Sequence, residues 1–267
     1  MSIESDIEAP AFLANTSFVL VEPQIPGNIG STARAIKTMG FSRLVLVNPV
    51  DYMNVSEARW LAHGAEDILD SAIVVSSLQE ALEGINYVIG TTNRGREPWF
   101  NPILPVRDAV PEILGFMQKQ PTAILFGRED RGLSNDALEM CHRLVRIPAA
   151  ILHPSLNLSQ AVMVCAYELF NGAHEPSVPV QLKLAEVNEV ECVIVRIFET
   201  MGKIGFISRP SPETFLRSIK RVFRRSFRLE VRDIGTLHKI CDNIDYYVKH
   251  KRGKGVKGKK KPVEGNG

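Results

Sequence analysis

The sequence predicts an α/β fold in which a mainly parallel sheet carries helices on both faces and is followed by a small helical extension. Short, almost wholly apolar runs alternate with helical stretches over residues 16–172, as expected of a sheet that is buried on both faces. A linker rich in Gly, Pro and Ser follows at 173–183, and helical periodicity without strands continues over 184–250.

The elements are predicted in order from these runs. Strands are expected within the runs 17–23, 44–49, 72–75, 86–92, 122–127 and 144–148. Helices are expected at 28–40, 54–62, 77–83, 108–118, 134–141, 157–170, 183–203, 212–227 and 230–249. Residues 1–15 are predicted to be a flexible leader, and 251–267 a disordered basic tail because glycine and charge dominate it.

Positive charge is concentrated in the extension. The net charge is +2, but residues 209–267 hold 17 Lys and Arg against 6 Asp and Glu, a net of +11, which leaves −9 for residues 1–208. Within 217–228, basic residues alternate with apolar ones at helical spacing; the basic ones are Arg217, Lys220, Arg221, Arg224, Arg225 and Arg228. This pattern favours a polyanion partner, RNA or DNA rather than a membrane. The alternative is a solvated helix face with a disordered tail.

Composition excludes several classes of protein. Every apolar run is far shorter than the roughly 20 residues that span a bilayer, and the acidic N-terminus does not resemble a signal peptide, so we expect a cytoplasmic protein that does not bind membranes. The four cysteines (Cys141, Cys165, Cys192, Cys241) are scattered singly and are interpreted as buried thiols. No histidine or cysteine pattern has metal-ligand spacing, so no metal is expected.

Ligands of an open parallel sheet bind at the carboxyl ends of its strands, and three loops there are unusual. In the first, "EPQIPGNIGSTARAIKTMG" (22–40), Asn28 can cap the following helix, and Arg34 lies off that helix's apolar stripe. A solvent-facing arginine is the alternative for Arg34. In the second, "LFGREDRGLSNDAL" (125–138), Gly127 and Gly132 permit sharp turns around Glu129 without forming a phosphate-binding motif. A charged surface turn would also explain this loop.

The third loop contains "HPSLNLSQAV" (153–162), in which polar residues precede an apolar helix. Ser155 or Asn157 can cap that helix. Capping explains one or two of these residues, but it does not explain a cluster of them at the edge that also carries Arg34 and Glu129. Backbone amides together with hydroxyl and amide side chains suit a polar ligand.

Three stretches, "PGNIGSTARAIKTMG", "FGREDRGLS" and "IPAAILHPSLNLSQAV", resemble the signature motifs of the SPOUT-class RNA ribose 2′-O-methyltransferases of the TrmH-like branch, over residues 16–170. The extension, with "IGFISRPSPETFLRSIKRVFRR", is most similar to the TrmJ subgroup. The resemblance implies a C-terminal trefoil knot, S-adenosylmethionine as cofactor and a homodimer with composite sites. It also implies methylation of a cytidine or uridine at the first nucleotide of the tRNA anticodon loop.

The resemblance also assigns residues, position by position. The expected catalytic residues are Asn28, Arg34, Glu129, Ser155 and Asn157. The expected cofactor-binding residues are Thr91, Leu125, Gly127, Arg128, Gly132, Ile147, Leu156 and Asn157. Arg34 would engage the 2′-oxygen and an RNA phosphate, and Glu129 would orient Arg34 or Asn28. The helix after Asn157 would pack under the knot and at the dimer interface.

Two alternatives to a tRNA methyltransferase stay open. The same chemistry can act on ribosomal RNA, and a catalytically inactive RNA-binding module can retain the fold. Both accommodate the basic extension, but an inactive module does not explain why Arg34, Glu129 and Asn157 are present together.

Overall fold

The computed structural model describes residues 9–93, 102–150, 156–174, 182–206, 211–226 and 228–251. In these residues, seven strands form one parallel sheet in the order β3-β2-β1-β6-β4-β7-β5. The strands are β1 (Thr16–Val21), β2 (Arg43–Val47), β3 (Ile73–Val75), β4 (Tyr87–Thr91), β5 (Ile103–Pro105), β6 (Thr122–Phe126) and β7 (Arg143–Arg146). The predicted α/β class with a parallel sheet is confirmed.

Helices connect the strands and form the extension. They are α1 (Pro26–Thr38), α2 (Ser56–Leu61), α3 (Glu66–Asp70), α4 (Leu78–Ala81), α5 (Val106–Met117), α6 (Asn135–Glu139), α7 (Leu158–Ala173), α8 (Val187–Lys203), α9 (Pro212–Ser226) and α10 (Val231–Lys251). The sequence did not predict α3, β5 or the 3₁₀ turn Ala11–Asn15, since segments this short carry little periodicity. The equally short β3, α4 and α6 lie within the predicted segments 72–75, 77–83 and 134–141. The trefoil knot stays a prediction, since residues 151–155 between β7 and α7 lie outside the described part.

Two clusters of buried apolar residues lie between the sheet and the helices that cover its two faces. The larger packs α1, α5 and α7 on one face, around buried residues such as Phe18, Phe126 and Val162. The smaller packs the short helices α4 and α6 on the other face, around Val19, Val88 and Leu125. Because both faces are covered, the strand ends are where polar groups of the sheet domain can meet a ligand.

The cysteine prediction was wrong at one position. Cys141, Cys165 and Cys241 are buried, whereas Cys192 is exposed. On α8 the packed side is formed by neighbours such as Val193 and Ile194, so the side chain at position 192 is turned to solvent. Burial raises the pKa of the Cys165 thiol to about 12, so this thiol stays protonated at neutral pH.

The extension attaches to the amino-terminal edge of the sheet. The Val187 N–H donates to the Ile85 carbonyl at 2.9 Å, and the Asn86 side chain donates to the Leu184 carbonyl at 2.9 Å. The Leu184 N–H also donates to Oε1 of Gln120 at 3.1 Å. Residues 85, 86 and 120 directly precede β4 and β6, so the extension lies at the end of the sheet opposite to its carboxyl edge.

A polar cluster around Glu112 strengthens this attachment. Arg143 donates to both carboxylate oxygens of Glu112, at 3.2 and 2.7 Å, and Arg228 of the extension donates to Oε1 at 2.8 Å. The hydroxyl of Tyr87 donates to the same oxygen. The Arg228 guanidinium also lies 5.7 Å from the ring centroid of Phe116, within cation–π range. Glu112 therefore joins α5, β7 and the extension.

We expect Glu112→Gln to lower the free energy of unfolding at pH 7 by roughly 1.5–3 kcal/mol, the cost of losing charged hydrogen bonds. Burial alone would raise the pKa of Glu112, but hydrogen bonds from Arg143 and Tyr87 and the charge of Arg228 outweigh burial and hold it below its ordinary value of 4.5. A lowered carboxyl pKa adds stability above the ordinary value, and this stability is lost as the pH falls through the folded-state pKa.

Thermal unfolding of wild type and variant between pH 7 and about pH 3.5 tests this expectation. The stability difference should narrow once the pH falls below 4.5. A difference that stays constant to the acid end would contradict the assigned role of the Glu112 charge.

Candidate active site

Glu129, in the loop after β6, binds the loop after β1. Its Oε2 accepts a hydrogen bond from the Gln24 N–H at 3.0 Å, and its Oε1 accepts one from the Ile25 N–H at 3.2 Å. Both donors immediately precede α1, where backbone N–H groups lack helical partners and where the helix dipole favours negative charge. The carboxylate therefore fixes the start of α1 to the β6 loop.

Asn28 connects this carboxylate to the third loop. Its Nδ2 donates to Oε1 of Glu129 at 2.9 Å, and its Oδ1 accepts from Nδ2 of Asn157 at 2.8 Å. Oδ1 of Asn157 accepts from the backbone N–H groups of Ser159 and Gln160 at 2.9 and 3.4 Å and so caps α7. We call Glu129, Asn28 and Asn157 the carboxylate–amide network, and it joins the three loops that the sequence analysis singled out.

The structure corrects the predicted role of Asn28 as a helix cap. Helix α1 begins two residues earlier, at Pro26, and Ile25 occupies the N-cap position. Proline suits the first position of a helix, because its fixed φ matches the helix and its missing N–H would have no partner there. Asn28 thus lies inside the first turn, 6% exposed, with its side chain committed to the network.

Beside the network lies a cavity of about 370 Å³, within the range of about 300–1,000 Å³ typical of small-molecule sites. It opens at the carboxyl edge of the sheet, between the loops after β4, β6 and β7 and the start of α7. The lining residues are Thr91, Thr92, Asn93, Phe126, Gly127, Arg128, Glu129, Asp130, Arg131, Gly132, Leu133, Val145, Ile147, Leu156, Leu158 and Ala161. One side is apolar, and the other presents backbone and carboxylate groups of the β6 loop.

Most of the predicted cofactor-binding residues line this cavity. They are Thr91, Gly127, Arg128, Gly132, Ile147 and Leu156. Leu125 is fully buried below it, and its carbonyl accepts a hydrogen bond from the Thr91 hydroxyl at 2.8 Å. Asn157 turns its side chain toward Asn28. The cofactor-binding roles of all eight predicted residues, including the six that line the cavity, stay predictions.

The β6 loop closes tightly on itself. The Gly132 N–H donates to the Arg128 carbonyl at 2.8 Å, and Gly132 has φ +68°, a left-handed conformation that favours glycine. A Cβ at Gly127 would lie 2.1 Å from both the Gly132 carbonyl carbon and the Leu133 nitrogen. The cavity wall therefore needs a residue without a side chain at position 127.

Charged side chains hold the same loop to the end of β1. Arg128 donates to Asp130 at 3.0 and 3.3 Å and to Glu22 at 3.2 Å. Glu22 adopts φ +53°, an uncommon conformation for a residue other than glycine, asparagine or aspartate. Strained residues of this kind cluster at functional sites, and this one lies at the same edge as the cavity.

Arg34 is the predicted catalytic residue that the structure keeps apart from the others. It is exposed on α1, and it comes six residues after Asn28, so the two side chains diverge by about 120° around the helix. The structure brings Glu129 to Asn28 and not to Arg34. The predicted role of Ser155 falls on a residue outside the described part of the chain.

The predicted RNA-binding residues separate into two groups. Arg217 and Arg221 are exposed on α9. Lys220 instead pairs at 3.0 Å with Glu191, which is 6% exposed, and Arg228 pairs with Glu112. These ion pairs are structural contacts that helical periodicity alone does not reveal. The side chains of Arg224 and Arg225 lie outside the described part.

Sequence reasoning missed several cavity residues, among them Asn93, Asp130, Val145 and Ala161. A signal was available for some, because Asn93 directly follows a predicted strand and Asp130 lies in the loop after another.

Two other kinds of feature are absent from the described ranges. No group of three or more His, Cys, Asp or Glu side chains there is arranged to hold a metal ion. No helix within those ranges is long and apolar enough to cross a bilayer.

Comparison with known proteins shows which family contains chains of this kind. Residues 15–167 match the model of the SpoU rRNA methylase family. The tRNA (cytidine/uridine-2′-O-)-methyltransferase TrmJ of Sodalis glossinidius is 37% identical over 89% of this chain and 94% of its own length. TrmJ of Pectobacterium atrosepticum is 38% identical over 87% of this chain and 97% of its own length.

Solved structures agree with the sequence comparisons. The crystal structure of TrmJ from Z. mobilis covers 86% of this chain and 99% of its own, with a TM-score of 0.74 and 28% identity. A methylase family protein from Neisseria gonorrhoeae covers 70% of this chain and 96% of its own, with a TM-score of 0.63 and 33% identity. The resemblance inferred from the three loops is thus confirmed, and the chain belongs to the SpoU rRNA methylase family.

Proposed function

We propose that this protein transfers a methyl group from S-adenosylmethionine to a ribose 2′-hydroxyl of tRNA in the cytoplasm, at a cytidine or uridine that is the first nucleotide of the anticodon loop, position 32. The observation that carries the proposal is the carboxylate–amide network, which joins the three signature loops beside a cavity at the carboxyl edge. An inactive RNA-binding module does not need this hydrogen-bonded arrangement of three loops beside a cavity.

The choice of tRNA rests on the extension. The family model ends at residue 167, whereas the TrmJ relatives align over about nine tenths of the chain and so include the basic helices. A ribosomal RNA substrate is the second candidate, because the family description names rRNA. The exposed Arg217 and Arg221 of α9 suit the phosphate backbone of either RNA.

The cavity residues fit S-adenosylmethionine chemically. Val145, Ile147 and Leu156 supply an apolar wall for an adenine ring. The backbone of 127–132 supplies polar atoms, and Glu129 supplies negative charge for a sulfonium. The charge of Asp130 is already neutralised by Arg128 and Arg131. When bound, the cofactor supplies an electrophilic methyl group. Gly127 lets the β6 loop close around the space, and Thr91 fixes the neighbouring strand ends.

The protein's own residues hold the reacting groups in position. A ribose hydroxyl is a weak nucleophile, and holding it in line with an electrophile can contribute about 7–11 kcal/mol to catalysis. The carboxylate–amide network keeps the three loops in one arrangement, so that little ordering is needed when RNA binds. A guanidinium stays protonated at neutral pH, so Arg34 donates hydrogen bonds to the 2′-oxygen and to a phosphate.

The exposed position of Arg34 supports a homodimer with composite sites. Along α1, Arg34 lies about 12 Å beyond Pro26 and on a different side from the network, so a second copy brings a cavity to it more readily than its own chain does. Tyr167, which is 49% exposed, offers apolar surface on α7 for such a partner. A two-fold interface uses the same surface on both copies.

We expect Arg34→Ala to reduce methyl transfer to tRNA at least about 100-fold, and Arg34→Lys to restore little, because an ammonium lacks the two-pronged geometry of guanidinium. The measurement is transfer of labelled methyl to unmodified tRNA and ribosomal RNA transcripts, followed by nuclease mapping of the labelled nucleotide. Arg43→Ala, which removes another exposed arginine at the opposite edge, is the matched control and should keep activity.

Each outcome of this experiment is decisive. Label at position 32 of tRNA that is lost with Arg34→Ala supports the proposal. Label on ribosomal RNA alone replaces the substrate, and full activity of Arg34→Lys removes the assigned role of the guanidinium. Absence of any cofactor binding would favour the inactive module.

A further inference from the structure

Arg131 lies in the β6 loop and lines the cavity, and the backbone that carries it is fixed on both sides. The Gly132 N–H donates to the Arg128 carbonyl at 2.8 Å and closes the turn 128–132. Leu133 is buried in the smaller apolar cluster, and the Ser134 hydroxyl caps α6. The backbone at Arg131 therefore needs little ordering when a ligand binds.

A single hydrogen bond orients the guanidinium of Arg131. Its Nε donates to Oδ2 of Asp130 at 3.3 Å, and in the described part of the chain its two terminal NH₂ groups make no hydrogen bond. The side chain is 65% exposed, compared with 24% for that of Arg128. Two planar donor groups of Arg131 are thus available to a ligand at the mouth of the cavity.

Most of the charge of Asp130 is balanced by Arg128. Both carboxylate oxygens of Asp130 accept from Arg128, at 3.0 and 3.3 Å, and this hydrogen bonding lowers the pKa of Asp130 more than that from Arg131 does. Arg128 also donates to Glu22, so the group of these four residues is neutral, and Arg131 is its most exposed member. An anion can therefore reach Arg131 without meeting net negative charge in this group.

The chemistry of the substrate indicates which anion this is. The 2′-hydroxyl of a ribose and its 3′-phosphate are attached to adjacent carbons, so a ribose that reaches the cavity brings a phosphate to the mouth. A guanidinium can donate two parallel hydrogen bonds to two phosphate oxygens. The carboxylate of a cofactor accepts in the same way, but it belongs to a ligand enclosed by the cavity. The large exposure of Arg131 favours RNA, which covers the mouth from outside.

We infer that Arg131 binds a backbone phosphate next to the ribose that is methylated. The inference rests on the proposed function and adds to it a residue of the sheet domain, at the end opposite to the attachment of the extension. The phosphate is not changed in the reaction, so the contact is equally strong in the ground state and in the transition state. It therefore lowers the KM for tRNA and leaves kcat unchanged.

Arg131→Gln in the full-length protein tests the inference. We expect the KM for tRNA to rise about fivefold, the upper effect of an exposed ion pair, while kcat stays within about twofold of wild type. In direct binding of tRNA, the plot of log K against log salt concentration should become shallower by about 0.7–0.9, the contribution of one phosphate. Arg131→Lys keeps the charge and should keep this slope. Arg59→Gln is the matched control, because Arg59 is already paired with Asp70 at 2.7 Å and should contribute to neither quantity.

Cofactor affinity and thermal unfolding are measured on the same samples, and both should equal those of wild type. Equal salt slopes of wild type and Arg131→Gln would overturn the inference. Weaker binding of S-adenosylmethionine by Arg131→Gln would overturn it as well, since the guanidinium would then hold the cofactor carboxylate or the loop. If the wild type methylates no RNA, the proposed function fails, and the salt slope still decides whether Arg131 binds a phosphate.

Discussion

Glu129→Gln is expected to reduce methyl transfer at least about 100-fold, although the two side chains have nearly the same shape. The carboxylate of Glu129 accepts hydrogen bonds from three donors, the N–H groups of Gln24 and Ile25 and the amide of Asn28. The glutamine amide would have only one oxygen to accept these hydrogen bonds. Its NH₂ group would take the place of the other oxygen and would point at a second hydrogen-bond donor. A 100-fold loss of rate corresponds to about 2.7 kcal/mol. Hydrogen bonds to a charged group are worth about 1.5–3 kcal/mol each, so one or two lost bonds account for it.

The initial rate with saturating tRNA, cofactor affinity by calorimetry and thermal unfolding together check this expectation. We expect the rate to fall and the cofactor to bind more weakly, because Glu129 also lines the cavity. Glu83→Gln makes the same chemical change at an exposed position near the amino-terminal edge and should leave both unchanged. A Glu129→Gln enzyme with normal rate and affinity would show that the network does not position the site.

Gly127→Ala is expected to abolish measurable cofactor binding and to lower the free energy of unfolding by roughly 3 kcal/mol, the upper range for overpacking. The added methyl would lie 2.1 Å from backbone atoms of Gly132 and Leu133, and backbone cannot rotate away as a flexible side chain can. The loop would have to open, and the cavity wall would open with it.

Gly235→Ala is the matched control for this substitution. Gly235 lies in α10, and no atom lies within 4 Å of the position that a Cβ would occupy there, so alanine should stabilise the helix by about 0.5–1 kcal/mol. Calorimetric titration with S-adenosylmethionine and chemical unfolding of the two variants give the comparison. Normal cofactor affinity in Gly127→Ala would mean that the cofactor does not use this wall.

Local patterns in the sequence were enough to predict the parallel sheet and most helices. The runs around Phe18, Leu46 and Ile124 are apolar at every position, which only a doubly covered strand tolerates. The Asn157 cap of α7 was also predictable, because capping depends on residues two or three positions away. Two short elements, α3 and β5, escaped prediction because they carry little periodicity of their own.

Local sequence patterns predicted only part of the candidate site. That Asn28, Glu129 and Asn157 lie at one sheet edge followed from the parallel topology, but their mutual hydrogen bonds did not. Helical spacing alone likewise predicted that Lys220 and Arg228 belong to a cationic face of the extension. In the structure, Glu191 and Glu112 bind them. Such pairs join residues distant in sequence, so no local periodicity encodes them.

The sequence by itself determined the α/β class, six of the seven described strands and nine of the ten described helices, the three loops at one edge and the basic character of the extension, because each depends on local composition and spacing. The tertiary structure decided that Asn28 joins a network and does not cap a helix, that Arg34 is exposed and stays outside this network, and that the extension attaches opposite to the site. These features depend on contacts between segments far apart in the chain, whose geometry exists only once the sheet has formed.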